Sequence, residues 1–203
     1  MVSAILVEGG ALQIRRTPNQ IKGSVSRSVF LTPSRRPSNI RVCLYHRKGN
    51  MLALDEDFMR EALTEAEAAG KDGEVPVGAI IVHDGKVIAR GRNAVIGAND
   101  PTAHAEIVAL RNAGKAIGNY RLTGSTMYST IEPCAMCAGA LVHARVARLV
   151  FGANDPKAGA VETHFGICNA EFLNHQVTVE GGILEDECRR MLQSFFRDRR
   201  KGV

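Results

Sequence analysis

The chain has 203 residues, 26 Lys+Arg against 21 Asp+Glu, a formal net charge of +5, and is 45% hydrophobic and 23% charged. That suffices for one domain with a real core and excludes a collagen-like, wholly disordered or helix-spanned membrane chain, since no apolar run approaches the ~18 residues a span needs. Five cysteines, an odd number, argue against a complete disulfide framework, and two stand at the close spacing that metal sites use.

The charge is uneven. Residues 1–50 hold nine basic side chains and one acid, Glu8, a net +8, whereas residues 51–203 hold 17 basic and 20 acidic groups, a net −3. The basic surplus therefore describes the first quarter of the chain and does not mark the rest as a general nucleic-acid binder. Residues 1–50 are rich in Ser, Arg and Pro, without sustained periodicity beyond Ala4–Val7, and read as a disordered leader outside the fold. Two origins fit it. One is an organellar transit peptide, Arg- and Ser-rich and poor in acids. The other, slightly favoured, is a mis-assigned start, because Met51 directly precedes the first convincing helix. A secretory signal does not fit, because no basic n-region precedes a proper apolar one.

From residue 52 the pattern is orderly. Asp55 is placed to cap a helix running to about Ala69, with Phe58, Ala62, Leu63 and Ala66 on one face and Gly70 as its stop. Val75–Val82 reads as a strand, Asp84-Gly85 as a hairpin turn, and Lys86–Arg90 as the returning strand. A polar loop, Gly91–Thr102, leads to a helix over Ala103–Ala116. A strand at Thr126–Thr130, a helix at Pro133–Ala144 and a strand at Ala147–Phe151 follow. Gly152–Asn174 is ambiguous, with a short helix placed around Val161–Cys168. Val177–Val179 is a short strand and Leu184–Arg199 the last helix. Strands alternating with helices indicate a three-layer α/β domain.

The chemistry sits in His104-Ala105-Glu106 and Pro133-Cys134-Ala135-Met136-Cys137. Zinc takes imidazole nitrogen and thiolate sulfur, and catalytic sites use three protein ligands with a fourth position for water. His104, Cys134 and Cys137 form that Cys₂His set. Two cysteines three apart share a helix face, Pro133 suits a first helical position, and a helix N-terminus favours thiolates. Glu106, two residues beyond His104, is placed to take a proton from water and deliver it to a substrate. Histidine, glutamate and the cysteine pair together form the pattern of zinc nucleobase deaminases. A redox pair would leave His104 and Glu106 without purpose, and a structural zinc site would want a fourth Cys or His nearby. Cys168 and Cys188 read as buried apolar residues, His46 and His83 as surface residues, and His143 as a helix-end histidine. Glu132 reads as a backbone-orienting carboxylate and not as a second catalytic acid.

From about residue 55 to 201 the chain resembles the bacterial tRNA-specific adenosine deaminases, a branch of the cytidine/deoxycytidylate deaminase superfamily. Besides the metal motifs, the resemblance is carried by Glu74-Val75-Pro76-Val77-Gly78-Ala79, Asn119-Tyr120-Arg121-Leu122, Leu173-Asn174-His175 and Phe195-Phe196-Arg197. It implies a three-layer α/β/α cytidine-deaminase-like fold with a five-stranded mixed sheet, one Zn²⁺ per subunit and a homodimer. It also implies hydrolytic deamination of the wobble adenosine to inosine in a tRNA anticodon loop. Asn93 matches the asparagine that contacts the target nucleoside, and Val77 and Ile131 the apolar walls of the base pocket. Asp155 and Lys157 match a loop meeting the RNA, and His175, Phe196, Arg197, Arg199 and Arg200 the surface facing the anticodon stem-loop. The positions before Leu173, Ala170-Glu171, depart from the His-Pro of many relatives, and Val161–Asn169 is atypical. The Phe195/Phe196 pair also suits core packing, with at least one ring expected inside, and Arg197–Lys201 also suits a solvated helix end. The rival activities are a free nucleobase or nucleotide deaminase of guanine or cytosine type, and a non-catalytic zinc RNA-binding subunit. The expected location is cytoplasmic, or organellar if the leader is a transit peptide; no membrane association is expected.

Overall fold

A computed structural model describes residues 40–201, with side chains from residue 52 onward. The leader therefore lies outside the described residues as far as residue 39, and His46 outside the described side chains. Helix α1 (Ile40–Lys71) leads to the hairpin β1 (Gly78–His83) and β2 (Lys86–Arg92). Then come α2 (Ala105–Ile117), β3 (Thr126–Ile131), α3 (Ala135–His143), β4 (Arg148–Ala153), β5 (Thr178–Glu180) and α4 (Glu185–Lys201). The sheet has five strands in the order β2-β1-β3-β4-β5. Strand β1 is antiparallel to both β2 and β3, while β3, β4 and β5 run parallel, so the sheet is mixed as expected.

Alternation along the strands builds two cores. Ala79, Ile81, Met127, Leu149 and Phe151 face one side with Ala105, Ala109, Ala138 and Leu141 of α2 and α3. Ile80, Val82, Tyr128 and Val150 face the other, against Phe58, Met59, Ala62 and Leu63 of α1 and Cys188 of α4. Side-chain period 2 on strands and about 3.6 on helices thus yields three layers. The Asp84-Gly85 turn behaves as predicted: both residues have positive φ, 48° and 71°, which a two-residue hairpin of matching twist requires. No described helix is long and apolar enough to cross a membrane.

Several boundaries differ from expectation, each for a local reason. Helix α1 begins at Ile40, so residues 40–50 of the predicted leader are helical and Asp55 is no cap. Its buried carboxylate instead accepts from Tyr128 Oη at 2.6 Å and from both Nη atoms of Arg148 at 2.8 Å. Strand β1 starts at Gly78 and not at Val75, because Pro76 has no N–H and Val77 N–H turns to the Val75 carbonyl. No helix forms over Val161–Cys168 beyond a 3₁₀ turn at Ile167–Asn169, because the amides that would start it serve the Glu132 carboxylate. His83, expected on the surface, is half-buried and hydrogen-bonded to Ser125. Cys168 and Cys188 are buried, as read, and His143 is the last residue of α3, where it is exposed. Phe195 is half-buried and Phe196 44% exposed, so neither ring reaches the core.

Candidate active site

Two helix N-termini converge at the metal motifs. His104 is the N-cap of α2 and Cys134 that of α3, both extended (φ −70°, ψ 152° and φ −71°, ψ 174°), and neither side chain caps its own helix. Pro133 therefore precedes the helix instead of opening it. The α2 amide that His104 leaves free, Ala105 N–H, is taken by Asn93 Oδ1 at 3.0 Å. Gly91 allows the approach of α2 to β2, since a Cβ there would lie 2.2 Å from the Ala105 carbonyl oxygen.

The freed side chains meet each other. His104 Nδ1 lies 3.7 Å from Cys134 Sγ and 3.6 Å from Cys137 Sγ, and all three donor atoms fall within 4.8 Å of one another. A tetrahedral zinc ion with bonds of ~2.1 Å to nitrogen and ~2.3 Å to sulfur separates its ligands by about 3.5–3.8 Å, so the set is at ligand spacing. Its ionisation points the same way. The Cys137 thiol and the His104 ring donate to the Cys134 sulfur and, against burial, hold its pKa down at about 3. The bond to that thiolate, together with burial, pushes Cys137 up. The protein alone thus supports one thiolate, and a divalent cation is the partner that lets both sulfurs ionise. Glu106, in the first turn of α2, is 3% exposed and its pKa is raised, chiefly by burial.

These groups lie at the floor of a cleft of about 1290 Å³. It gathers most of the predicted site: His104, Glu106 and Cys134, then Asn93, Val77, Ile131, Asp155 and Lys157, and from α4 Phe196, Arg197, Arg199 and Arg200. Cys137 is fully buried behind Cys134. His175 is not brought to the cleft; its Nε2 donates to the Val146 carbonyl at 2.7 Å. Val75, Arg189, Leu192 and Gln193 also line the cleft and were missed. The last three fall with Phe196, Arg197 and Arg200 at helical spacing on α4, a signal the sequence did contain.

Glu132, 1% exposed, anchors the loop that closes one wall. Its Oε1 accepts from the amides of Val161, Glu162 and Thr163 at 3.1, 2.8 and 2.9 Å. Its Oε2 accepts from Asp155 N–H at 3.1 Å and from Asn154 and Thr163 side chains. Burial opposes ionisation, but the Thr163 hydroxyl and these amides prevail and hold its pKa at about 2. It is an orienting carboxylate, as its place before Pro133 suggested.

Comparison with known proteins gives a consistent picture. The cytidine and deoxycytidylate deaminase zinc-binding region matches residues 52–153. The tRNA-specific adenosine deaminase of Haemophilus influenzae is 51% identical over 148 residues, 72% of this chain and 86% of that protein. That of Bacillus subtilis is 48% identical over 147 residues, 72% and 91% of the two chains. A structure from a study of A-to-I editing by tRNA:A34 deaminases superposes with a TM-score of 0.65 at 47% identity, over 66% of this chain and 98% of that one. A guanine deaminase from Nitrosomonas europaea superposes with a TM-score of 0.59 at 26% identity, over 69% and 83%.

Proposed function

We infer the reaction from one premise: the chain belongs to the cytidine and deoxycytidylate deaminase family, and within it to the tRNA-specific adenosine deaminases. It is a zinc-dependent hydrolase that converts the wobble adenosine, position 34 of a tRNA anticodon, to inosine, with water consumed and ammonia released. The observation that carries this is identity of 43–51% to tRNA-specific adenosine deaminases over 70–72% of the chain. Guanine deaminase stands well below that, and Glu106, present and buried beside the metal ligands, argues against a silent RNA-binding subunit.

His104, Cys134 and Cys137 hold the zinc, which when bound is a Lewis acid able to lower the pKa of a water ligand. Glu106, held protonation-competent by its burial, takes a proton from the attacking water and passes it to the departing amino group. Val77 and Ile131 are the apolar walls that receive a flipped adenine, and Asn93, whose oxygen is fixed by Ala105 N–H, keeps its amide NH₂ for the nucleoside. Asp155, Lys157, Phe196, Arg197 and Arg200 are the RNA-facing rim, where single-stranded bases stack and basic groups meet phosphates.

The chain works as a homodimer in this reading. An apolar groove of about 700 Å³ between α2 and α3, lined by Ile107, Leu110, Tyr120, Ala140 and Ala144, supports that arrangement. A monomeric mass by light scattering at micromolar concentration would remove it. A cytoplasmic location accords with thiol ligands and with Cys168 and Cys188 remaining free.

The test is Glu106→Gln. It retains one zinc per chain by elemental analysis and loses inosine formation by about 10²–10⁴-fold. Sequencing the product reads adenosine 34 as guanosine only with the native enzyme. Turnover of free guanine or cytosine without turnover of an anticodon stem-loop overturns the tRNA reading.

A further inference from the structure

We propose that Arg199 is a positioning residue that clamps the end of α4 to the turn after α1, and so holds the basic wall of the cleft in place. Beyond Cys188, α4 has no fully buried residue among those described, although Leu192, Phe196, Arg197 and Arg200 form that wall. Helix ends that are not tied down fray. Met191 packs against the core at the start of this stretch, and nearer the end one side chain makes a polar tie. Arg199 Nη2 donates to the Gly73 carbonyl at 2.6 Å, and its guanidinium lies 4.9 Å from the centre of the Phe195 ring. Phe195 meets Phe196 edge-on at 5.5 Å. Among the described residues, the Arg199–Gly73 contact is the single hydrogen bond joining α4 beyond Cys188 to another element.

The acceptor is well placed to serve as an anchor. Gly73 has φ 82°, and its N–H and that of Glu74 close α1 by bonding to the Gly70 and Ala69 carbonyls. The buried Glu74 carboxylate then accepts the Ile96 and Gly97 amides, both at 2.8 Å, and so fastens the loop that follows Asn93. Arg199 thus joins α4, the segment leading to Val75 and Val77, and the Asn93 loop into one frame around the cleft. A planar guanidinium engaged by a carbonyl on its edge and an aromatic ring on its face is held for geometry, whereas Arg200, likewise exposed and without a hydrogen bond or ion pair among the described residues, is free to meet phosphate.

Two measurements on Arg199→Ala, with Arg200→Ala as the contrast, test this in the full-length zinc enzyme. Amide hydrogen exchange needs no substrate: Arg199→Ala speeds exchange of the 191–201 amides by about tenfold or more, the loss of one charge-assisted bond, while Arg200→Ala leaves it unchanged. The kinetic arm rests on the tRNA reading and uses an anticodon stem-loop at several salt concentrations. Arg199→Ala raises KM several-fold at every concentration with kcat little changed and the salt slope preserved. Arg200→Ala lowers the slope of log KM against log salt by about 0.7–1, one phosphate contact. Unchanged exchange in Arg199→Ala, or a slope that falls as it does in Arg200→Ala, overturns the proposal. Failure of the native enzyme on the stem-loop would count against the tRNA reading and leave the exchange result to decide the clamp.

Discussion

At the scale of single residues, the site separates groups that do chemistry from groups that hold them. His104 and Cys134 forgo capping their own helices, and the protein compensates with Asn93 on the Ala105 amide. Glu132 shows how much one buried carboxylate can organise: three consecutive amides on one oxygen, and a fourth amide with two side chains on the other. Gly159 packs against it so tightly that a Cβ would lie 2.2 Å from Oε2. Gly159→Ala should therefore push the loop off its anchor and destabilise the fold by about 1–3 kcal/mol, as overpacking does. A denaturation midpoint equal to that of the native protein would show that the loop yields freely. Because Gly159 pairs with Cys134 across an isolated β-bridge, a loss of zinc content should accompany the displacement of this loop.

At the scale of elements, the sheet's far end is fastened by a buried ion pair that no local pattern announces. Asp55 of α1 reaches Tyr128 of β3 and Arg148 of β4, and Arg148 also contacts Glu180 of β5. Burial raises the Asp55 pKa, but bonds to Arg148 and Tyr128 outweigh it and the pKa lies below the usual 3.8. A depressed carboxylate contributes stability above its unfolded pKa and loses it as pH falls through the folded value. The α1–sheet contact should thus weaken on acidification below about pH 4, the unfolded carboxylate range. Asp55→Asn should cost about 2–3 kcal/mol at neutral pH, since Arg148 keeps Glu180 as a partner. It should also flatten the acid limb of stability below about pH 4. A variant whose urea midpoint keeps the native pH dependence would contradict this assignment.

At the scale of the whole molecule, charge and function are distributed differently. The residues after 50 carry a net −3, yet the cleft rim collects Lys157, Arg189, Arg197 and Arg200. RNA affinity in this reading comes from that local patch, not from a general positive field. Helix α1 runs unbroken from Ile40 across residue 51, and its described packing on the sheet includes Asp55 and Phe58; we propose that residues 51–203 suffice as the catalytic domain. Removing residues 1–50 should leave kcat/KM for a stem-loop within about twofold, the range of changes away from packed features. Replacing Arg197 and Arg200 together by alanine should weaken stem-loop binding and flatten its salt dependence. Loss of RNA binding on removal of the leader alone would make it part of the recognition surface.

By itself the sequence determined the layer order, the hairpin at Asp84-Gly85, and the pairing of Cys134 with Cys137 and of His104 with Glu106 that we propose as metal ligands and proton carrier. Each of these rests on short spacings, period 2, period 3.6, Cys-x-x-Cys and His-x-Glu, whereas the joining of His104 to the cysteine pair 30 residues on was legible only because the two motifs together form a known pattern. Sequence resemblance also placed Asn93, Val77, Ile131, Asp155 and Lys157 around that centre, and the cleft gathers them. Only the tertiary structure decided the roles of Asp55, Glu132 and Arg199. Their partners lie 93, up to 31 and 126 residues away, and a hydrogen bond across such a separation leaves no periodic trace in the chain. The readings of Asp55 as a cap and of 161–168 as a helix fail for separate reasons. At 161–168 the buried Glu132 took the amides a helix start would need, whereas Asp55 lies inside a helix that begins upstream at Ile40, which leaves its carboxylate for Arg148 and Tyr128.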